Sequence, residues 1–313
     1  MAQRWWQQLP PAAGSFVMAT AIVSVGLHLT GFEVASWIAL GLATAVWIRL
    51  AADFVLRPLW KRPWRESETA VPAALSALAA TTVLGTRMAL LGWHTLAGAM
   101  LVAAVLTWPG LLFAVLRHWR SRLPGGAFLI CVATQGVAVL AGTVARAGMG
   151  DWLTIVALVF FGLGLVLYVA AFLRFELQQV WTGPGDQWVA TGALAMSALA
   201  AAELVADNQW SGPTHDTLRV AALAALGLNL LVYVILMVAE VIRPRPGYDI
   251  RRWATVFPLG MTAVATLSVS SATDIPGLTT LGNLLLLVAV GAWAFTLAVL
   301  LTNQTTFEAD PAG

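Results

Sequence analysis

Residues 252–271 read RWATVFPLGMTAVATLSVSS. The stretch is apolar enough to be buried, yet it carries six Ser/Thr hydroxyls, and Phe257 stands directly before Pro258. Residues 155–172, IVALVFFGLGLVLYVAAF, are the opposite kind: bulky, greasy and uncharged. Each is close to the roughly 20 predominantly apolar residues that a bilayer-spanning helix needs. A chain holding both kinds needs one set of helices that faces lipid and another that packs tightly inside it. Composition points the same way. Of the 313 residues, 59% are hydrophobic and 10% charged, whereas soluble domains carry about 25% charged residues. No water-soluble fold of this length hides so much apolar surface, so the sequence describes an all-α integral membrane protein.

Working outward, ten apolar runs can be counted, at roughly 9–29, 33–56, 70–92, 94–117, 126–147, 151–174, 186–207, 214–242, 251–272 and 278–302. The linkers between them alternate. The odd ones are short or acidic (TGFE, GWHT, AGMGD), and the even ones are longer and basic (RPLWKRPWRESE, RHWRSRLPGG, RPRPGYDIRR). Arg4, Arg57, Lys61, Arg62, Arg65, Arg117, Arg120, Arg122, Arg174, Arg243, Arg245, Arg251 and Arg252 put thirteen of the 17 Lys and Arg on one side. The positive-inside rule places that side, with both termini, in the cytoplasm. The expected location is a bacterial-type inner (plasma) membrane. The start of the chain has no signal-peptide pattern, and Trp5 and Trp6 read as interfacial anchors.

A repeat is also visible. Every second run ends alike, in FVLRP, AVLRH, AFLRF, EVIRP and, more loosely, VLLTN. Each odd run holds an Ala-Thr pair, ending at Thr20, Thr81, Thr134, Thr191 and Thr266, with a proline seven to ten residues earlier. The pattern reads as five tandem helical hairpins in one transmembrane domain, residues 1–313, with hairpins at roughly 9–57, 70–117, 126–174, 186–243 and 251–302. Five copies in one orientation close most simply into a ring.

Odd runs are rich in small and hydroxyl residues, even runs in bulky ones. Small residues suit close helix packing and hydroxyls can line a wet path. The expected architecture is an inner pore ring of odd helices and an outer ring of even ones. Thr20, Ser24, Thr81, Thr134, Thr191, Thr262 and Thr266 are the expected pore-lining residues. Ser and Thr also bond back to their own helix carbonyls, an alternative that needs no pore. No carboxylate falls near the middle of an odd run; Glu203 lies toward the outer end of the seventh. That disfavours a cation path. Arg87 and Arg146, isolated on the arginine-poor side, are the expected anion-attracting mouth, or else cations reaching for headgroups.

Other chemistry is missing from the sequence. His28, His94, His118 and His215 are dispersed, so neither metal nor cofactor is expected. There is no phosphate-binding loop and no Ser/His/Asp grouping, so no enzyme is expected. The lone Cys131 reads as a small buried hydrophobe, and Asp53, four residues after Arg49, as a structural ion pair. A formal net charge of +2 gives no reason to expect nucleic acid.

RWATVFPLGMTAVAT in the ninth run and LPPAAGSFVMATAIVSVGLHLTG in the first resemble the tellurite-resistance/dicarboxylate transporter family, and the likeness extends over nearly the whole chain. That family includes bacterial tellurite-resistance protein A, malate permeases, sulfite exporters and plant slow-type anion channels. The resemblance implies a pore of odd helices kinked by prolines, homotrimeric assembly with one pore per subunit, and a pore-plugging phenylalanine in the ninth helix. By position that residue is Phe257, beside Pro258; a packed core aromatic is the alternative. The long regulatory termini of the plant members are missing here, so control by phosphorylation is not expected. Three readings stay open: a passive channel or channel-like exporter for small anions, a coupled carrier of C4-dicarboxylates, sulfite or tellurite, and a membrane enzyme or scaffold without transport.

Overall fold

The structure, a computed structural model, describes residues 11–59, 70–117, 119, 122–244 and 252–308. Arg4, Trp5, Trp6, Lys61, Arg62, Arg65, His118, Arg120, Arg245 and Arg251 lie outside these residues, as do the side chains of Asp53 and Arg57. Among the described residues the chain is helical without strands; one isolated bridge pairs Leu123 with Phe175. The long helices are α1 (Pro11–Leu29), α2 (Glu33–Leu59), α3 (Ala70–Leu90), α4 (His94–Arg117), α5 (Leu129–Val144), α6 (Trp152–Phe172), α7 (Val189–Val205), α8 (Pro213–Ile242), α9 (Trp253–Thr273) and α10 (Pro276–Glu308). Short 3-10 turns, Gly125–Phe128 and Asp186–Trp188, lead into α5 and α7, and a single turn of helix, Gln179–Thr182, sits in the linker before α7.

Nine helices among the described residues are long and apolar enough to cross a membrane, and the apolar part of α1, Ala13–Leu29, is shorter. The turns after α1, α3 and α9 explain why consecutive helices fold back. Gly31 and Gly92 adopt φ of +82° and +81°, a region L side chains rarely enter. The chain then closes the preceding helix: Phe32 N–H donates to the Leu27 carbonyl at 2.8 Å, and Trp93 N–H to that of Met88 at 3.0 Å. Asp274, with φ of +56°, makes the corresponding reversal before Pro276 opens α10.

Packing separates two classes of helix. α1 packs on α3, α3 on α5, α5 on α7, α7 on α9, and α9 returns to α1, so the five odd helices form a closed cycle. Each also packs along the helix that follows it. In the span holding α5, residues 125–149, 94% of positions in the apolar window are buried, against 22% in the α2 span, residues 33–52. The even helices carry the large exposed apolar side chains, such as Val34 and Ile38 on α2, Leu106 and Phe113 on α4, Val166 on α6, Leu231 on α8 and Leu287 on α10. In water such a belt would associate; against lipid it costs nothing.

Three of the five Ala-Thr threonines, Thr20, Thr81 and Thr134, and also Thr262, have a packing role. Trp47 Nε1 on α2 donates to Thr81 Oγ1 on α3 at 2.9 Å, and Trp108 Nε1 on α4 to Thr134 Oγ1 on α5 at 2.8 Å. Asn229 Nδ2 on α8 donates to Thr262 Oγ1 on α9 at 3.2 Å, and Trp293 Nε1 on α10 to Thr20 Oγ1 on α1 at 3.0 Å. Each bond ties an even helix to the odd helix of the next hairpin, and the last joins the end of the chain to its beginning. At the α6–α7 seam a different bond serves: Thr154 Oγ1 donates to Asp207 Oδ2 at 2.6 Å. Trp293→Phe keeps the ring and removes the donor. It is expected to lower stability by about 1 kcal/mol. Thr20→Val should cost about the same, and the double variant less than the sum of the two. Thermal unfolding of the three variants checks this; strictly additive losses would show that the bond is not the shared cause.

Candidate functional site

A narrow cavity of about 10 Å³, scarcely room for one water molecule, lies between α1, α3, α5 and α7. Its walls are Ile22, Val25, Thr82, Val83, Thr86, Gly136, Val139, Met196 and Leu199. The two hydroxyls in that wall are engaged by their own helix. Thr82 Oγ1 donates to the Ala79 carbonyl at 2.9 Å, and Thr86 Oγ1 to that of Thr82 at 3.0 Å. Each proton is used, and the wall is otherwise apolar. Gly136 lets the neighbouring helices approach closely, because a Cβ there would collide with Thr82 Oγ1 and come within 3.2 Å of Met196 Cε.

Phe257 is not among the residues lining this cavity; it lies against Gly192, about one turn of α7 before Met196. Positions 192, 196 and 199 share one face of a 3.6-residue helix, and Met196 and Leu199 line the cavity. A Cβ on Gly192 would lie 3.1 Å from Phe257 Cε1 and 3.0 Å from Pro258 Cγ. The ring is thus packed on the cavity-lining face of α7, one turn before the cavity, and is itself buried. Pro258 stands inside α9 without breaking it. Having no N–H, it leaves the Ala254 carbonyl without its helical donor. Next to it Trp253 meets Phe16 of α1 edge-on, with ring centroids 4.6 Å apart.

None of the seven hydroxyl residues expected along a lumen lines this cavity. Thr20, Thr81, Thr134 and Thr262 accept the inter-hairpin bonds, and Thr191 Oγ1 donates to Asn229 Oδ1 on α8 at 2.6 Å. Ser24 Oγ donates to the Ser36 carbonyl on α2 at 2.8 Å, and Thr266 to the Thr262 carbonyl at 2.7 Å. These seven hydroxyls thus bond to neighbouring helices or to their own, and the residues that line the cavity are Thr82, Thr86, Gly136 and apolar side chains.

The expected mouth divides likewise. Arg87 is fully buried, which corrects the expectation of an open cation on the outer side. Its Nε donates to Ser24 Oγ at 3.3 Å and its Nη2 to Ser36 Oγ at 3.1 Å, with a Glu33 carboxylate oxygen 3.8 Å away. It ties α1, α2 and α3 together. Arg146 does reach the surface, 44% exposed, but is paired: its Nη1 donates to Glu203 Oε2 at 3.0 Å. It lies in the π-helical turn Ala145–Met149 that ends the α5 span.

The sequence reading left out Thr82, Val83, Thr86, Met196 and Leu199 as lining residues, and the partners Trp47, Trp108, Asn229 and Trp293. A signal for three of these exists: Trp47, Trp108 and Trp293 stand nine or ten residues before the repeated helix ends at Arg57, Arg117 and Thr302. Among the described residues no three His, Cys, Asp or Glu side chains converge on a metal site. Cys131 is buried in α5.

A family model described as "Voltage-dependent anion channel" matches residues 8–301. No curated protein matches the chain.

Proposed function

The chain belongs to the voltage-dependent anion channel family, which also takes in tellurite-resistance proteins and malate permeases, and on that premise we propose that it is a passive channel for small anions gated by Phe257. The family moves anions across membranes, and this is a multi-pass membrane protein. In the proposed reading α1 is the tenth span, the five odd helices surround the path, and the even helices form the outer ring. The chain forms five hairpin repeats, assembles as a homotrimer with one path per subunit, and sits in an inner membrane with both termini cytoplasmic. The observation that carries the reading is the narrow cavity inside the closed cycle of odd helices, with Phe257 and Pro258 packed on Gly192, one turn of α7 before the lining residue Met196. An apolar constriction blocks both an ion and the water that would solvate it.

Reconstitution in liposomes tests this. Chloride or nitrate flux that persists without a proton gradient is expected; strict dependence on that gradient would replace the channel with a coupled carrier. At the outer mouth, Arg146 is the cation proposed to gather anions. Arg146→Gln should lower conductance most near 10 mM salt, where the Debye length is about 30 Å. Arg87→Gln, buried behind α1 and α2, should leave that salt dependence unchanged. Equal effects of the two substitutions would argue against a mouth built on Arg146.

A further inference from the structure

Glu203 occupies a position that the channel reading does not use. At 100° per residue it shares the face of α7 that holds Gly192, Met196 and Leu199, and stands one turn beyond Leu199 toward the outer end. Thr143 stands one turn beyond Val139 on α5 in the same way. The two meet: Thr143 Oγ1 lies 3.2 Å from Glu203 Oε2, sharing its one proton with the Val139 carbonyl at 2.9 Å, beside the bond from Arg146 at 3.0 Å. Gly142 leaves room for this, since a Cβ there would lie 3.1 Å from Glu203 Cβ. The Glu203 side chain is only 13% exposed, while Arg146 is 44% exposed. The nearby Asp207 is engaged elsewhere, by Thr154 and by the backbone N–H of Gln209. One acid therefore stands on the same face of α7 as the cavity-lining residues, one turn beyond them.

We propose that Glu203 makes this path discriminate by ion charge, so that monovalent anions pass and doubly charged oxyanions or dicarboxylates are turned back. The inference rests on the channel reading and names its substrate class. An anion entering from outside meets Arg146 first, in a solvated setting where its charge is well screened. It then meets the carboxylate, where less water is present and the field is stronger. Repulsion by one fixed charge scales with the charge of the ion, so a dianion meets twice the opposition that a monoanion does. Arg146 offsets that field in part and holds the carboxylate in place. An acid on an anion path would be a defect if the task were only to conduct; here it acts as a filter.

The test is the ratio of sulfate to chloride flux in liposomes carrying the full chain, in the native sequence and with Phe257→Ala. Glu203→Gln keeps an oxygen for Arg146 and Thr143 but loses the charge. It should raise the sulfate-to-chloride ratio by about tenfold. Glu203→Asp, which retains the charge, should keep sulfate excluded. Should the Gln variant fail to fold, Arg146→Gln gives the opposite arm: with the carboxylate uncompensated, sulfate should fall further relative to chloride, and a rise overturns the proposal. A folded Gln variant with chloride flux and an unchanged ratio overturns this inference and leaves the channel standing. Absence of chloride, nitrate and sulfate flux in every variant overturns the channel reading and this inference with it.

Discussion

Phe257→Ala is expected to raise chloride flux through liposomes by at least about tenfold, the effect of removing roughly 1.4 kcal/mol from a barrier. The ring lies against Gly192 on the face of α7 that lines the cavity, and Pro258 beside it leaves the helix short of one hydrogen bond. Truncation joins the space the ring occupies to the cavity beyond Met196. Leucine should give an intermediate flux, because it still fills part of that volume. Stability separates this role from plain packing. A phenylalanine enclosed on all sides costs about 3–5 kcal/mol on truncation; one that stands across a path, with few atoms beyond it, costs less. Flux and thermal unfolding are measured on the same preparations. A folded alanine variant with flux at or below that of the native chain removes Phe257 from the gate, and a collapsed one assigns the ring to the core.

Gly192→Ala should act on the same ring from the other side. The new Cβ would stand 3.0 Å from Pro258 Cγ and 3.1 Å from Phe257 Cε1, closer than nearly all real contacts of this kind. Overpacking of that size costs about 1–3 kcal/mol. In a channel that cost is accompanied by a ring pressed further across the path, so residual flux should fall. Combining Gly192→Ala with Phe257→Ala should restore much of the stability and flux, since the space in conflict is then empty; the contact with Pro258 keeps the rescue partial. Residues in contact couple in a double-mutant cycle, and residues apart do not. Additive losses would show that Gly192 and the ring do not share this space.

Much of the molecule is legible along the chain. Nine of the ten apolar runs are helices of spanning length and apolarity, because bilayer thickness sets a length that composition alone can meet. The boundaries are legible where glycine is needed for a left-handed turn, as at Gly31 and Gly92. They are less so where nothing breaks the helix: α10 runs on to Glu308, past the expected end at 302, through a segment without glycine or proline. The contrast between hydroxyl-rich and bulky runs separated buried helices from exposed ones, as α5 and α2 illustrate. Membership of an anion-channel family was legible in the first and ninth runs.

The direction in which each polar side chain points was not legible, and the reason is physical. An amphipathic helix announces its inner face through its period. In α5 every residue from Leu129 to Val144 is buried, so the sequence carries no phase that tells the cavity side from the partner side. Thr134 and Gly136 are two residues apart; one accepts an indole N–H from α4 and the other faces the cavity. Arg87 is the same case with a charge. An arginine near a helix end reads as a cation reaching for water, yet Ser24 and Ser36 hold its guanidinium inside because α1 and α2 close over it. Length, apolarity and repeat belong to the chain. Only the packing of the odd helices on one another decides which side of each meets a neighbour and which meets the empty space, because that space exists only where α1, α3, α5 and α7 come together.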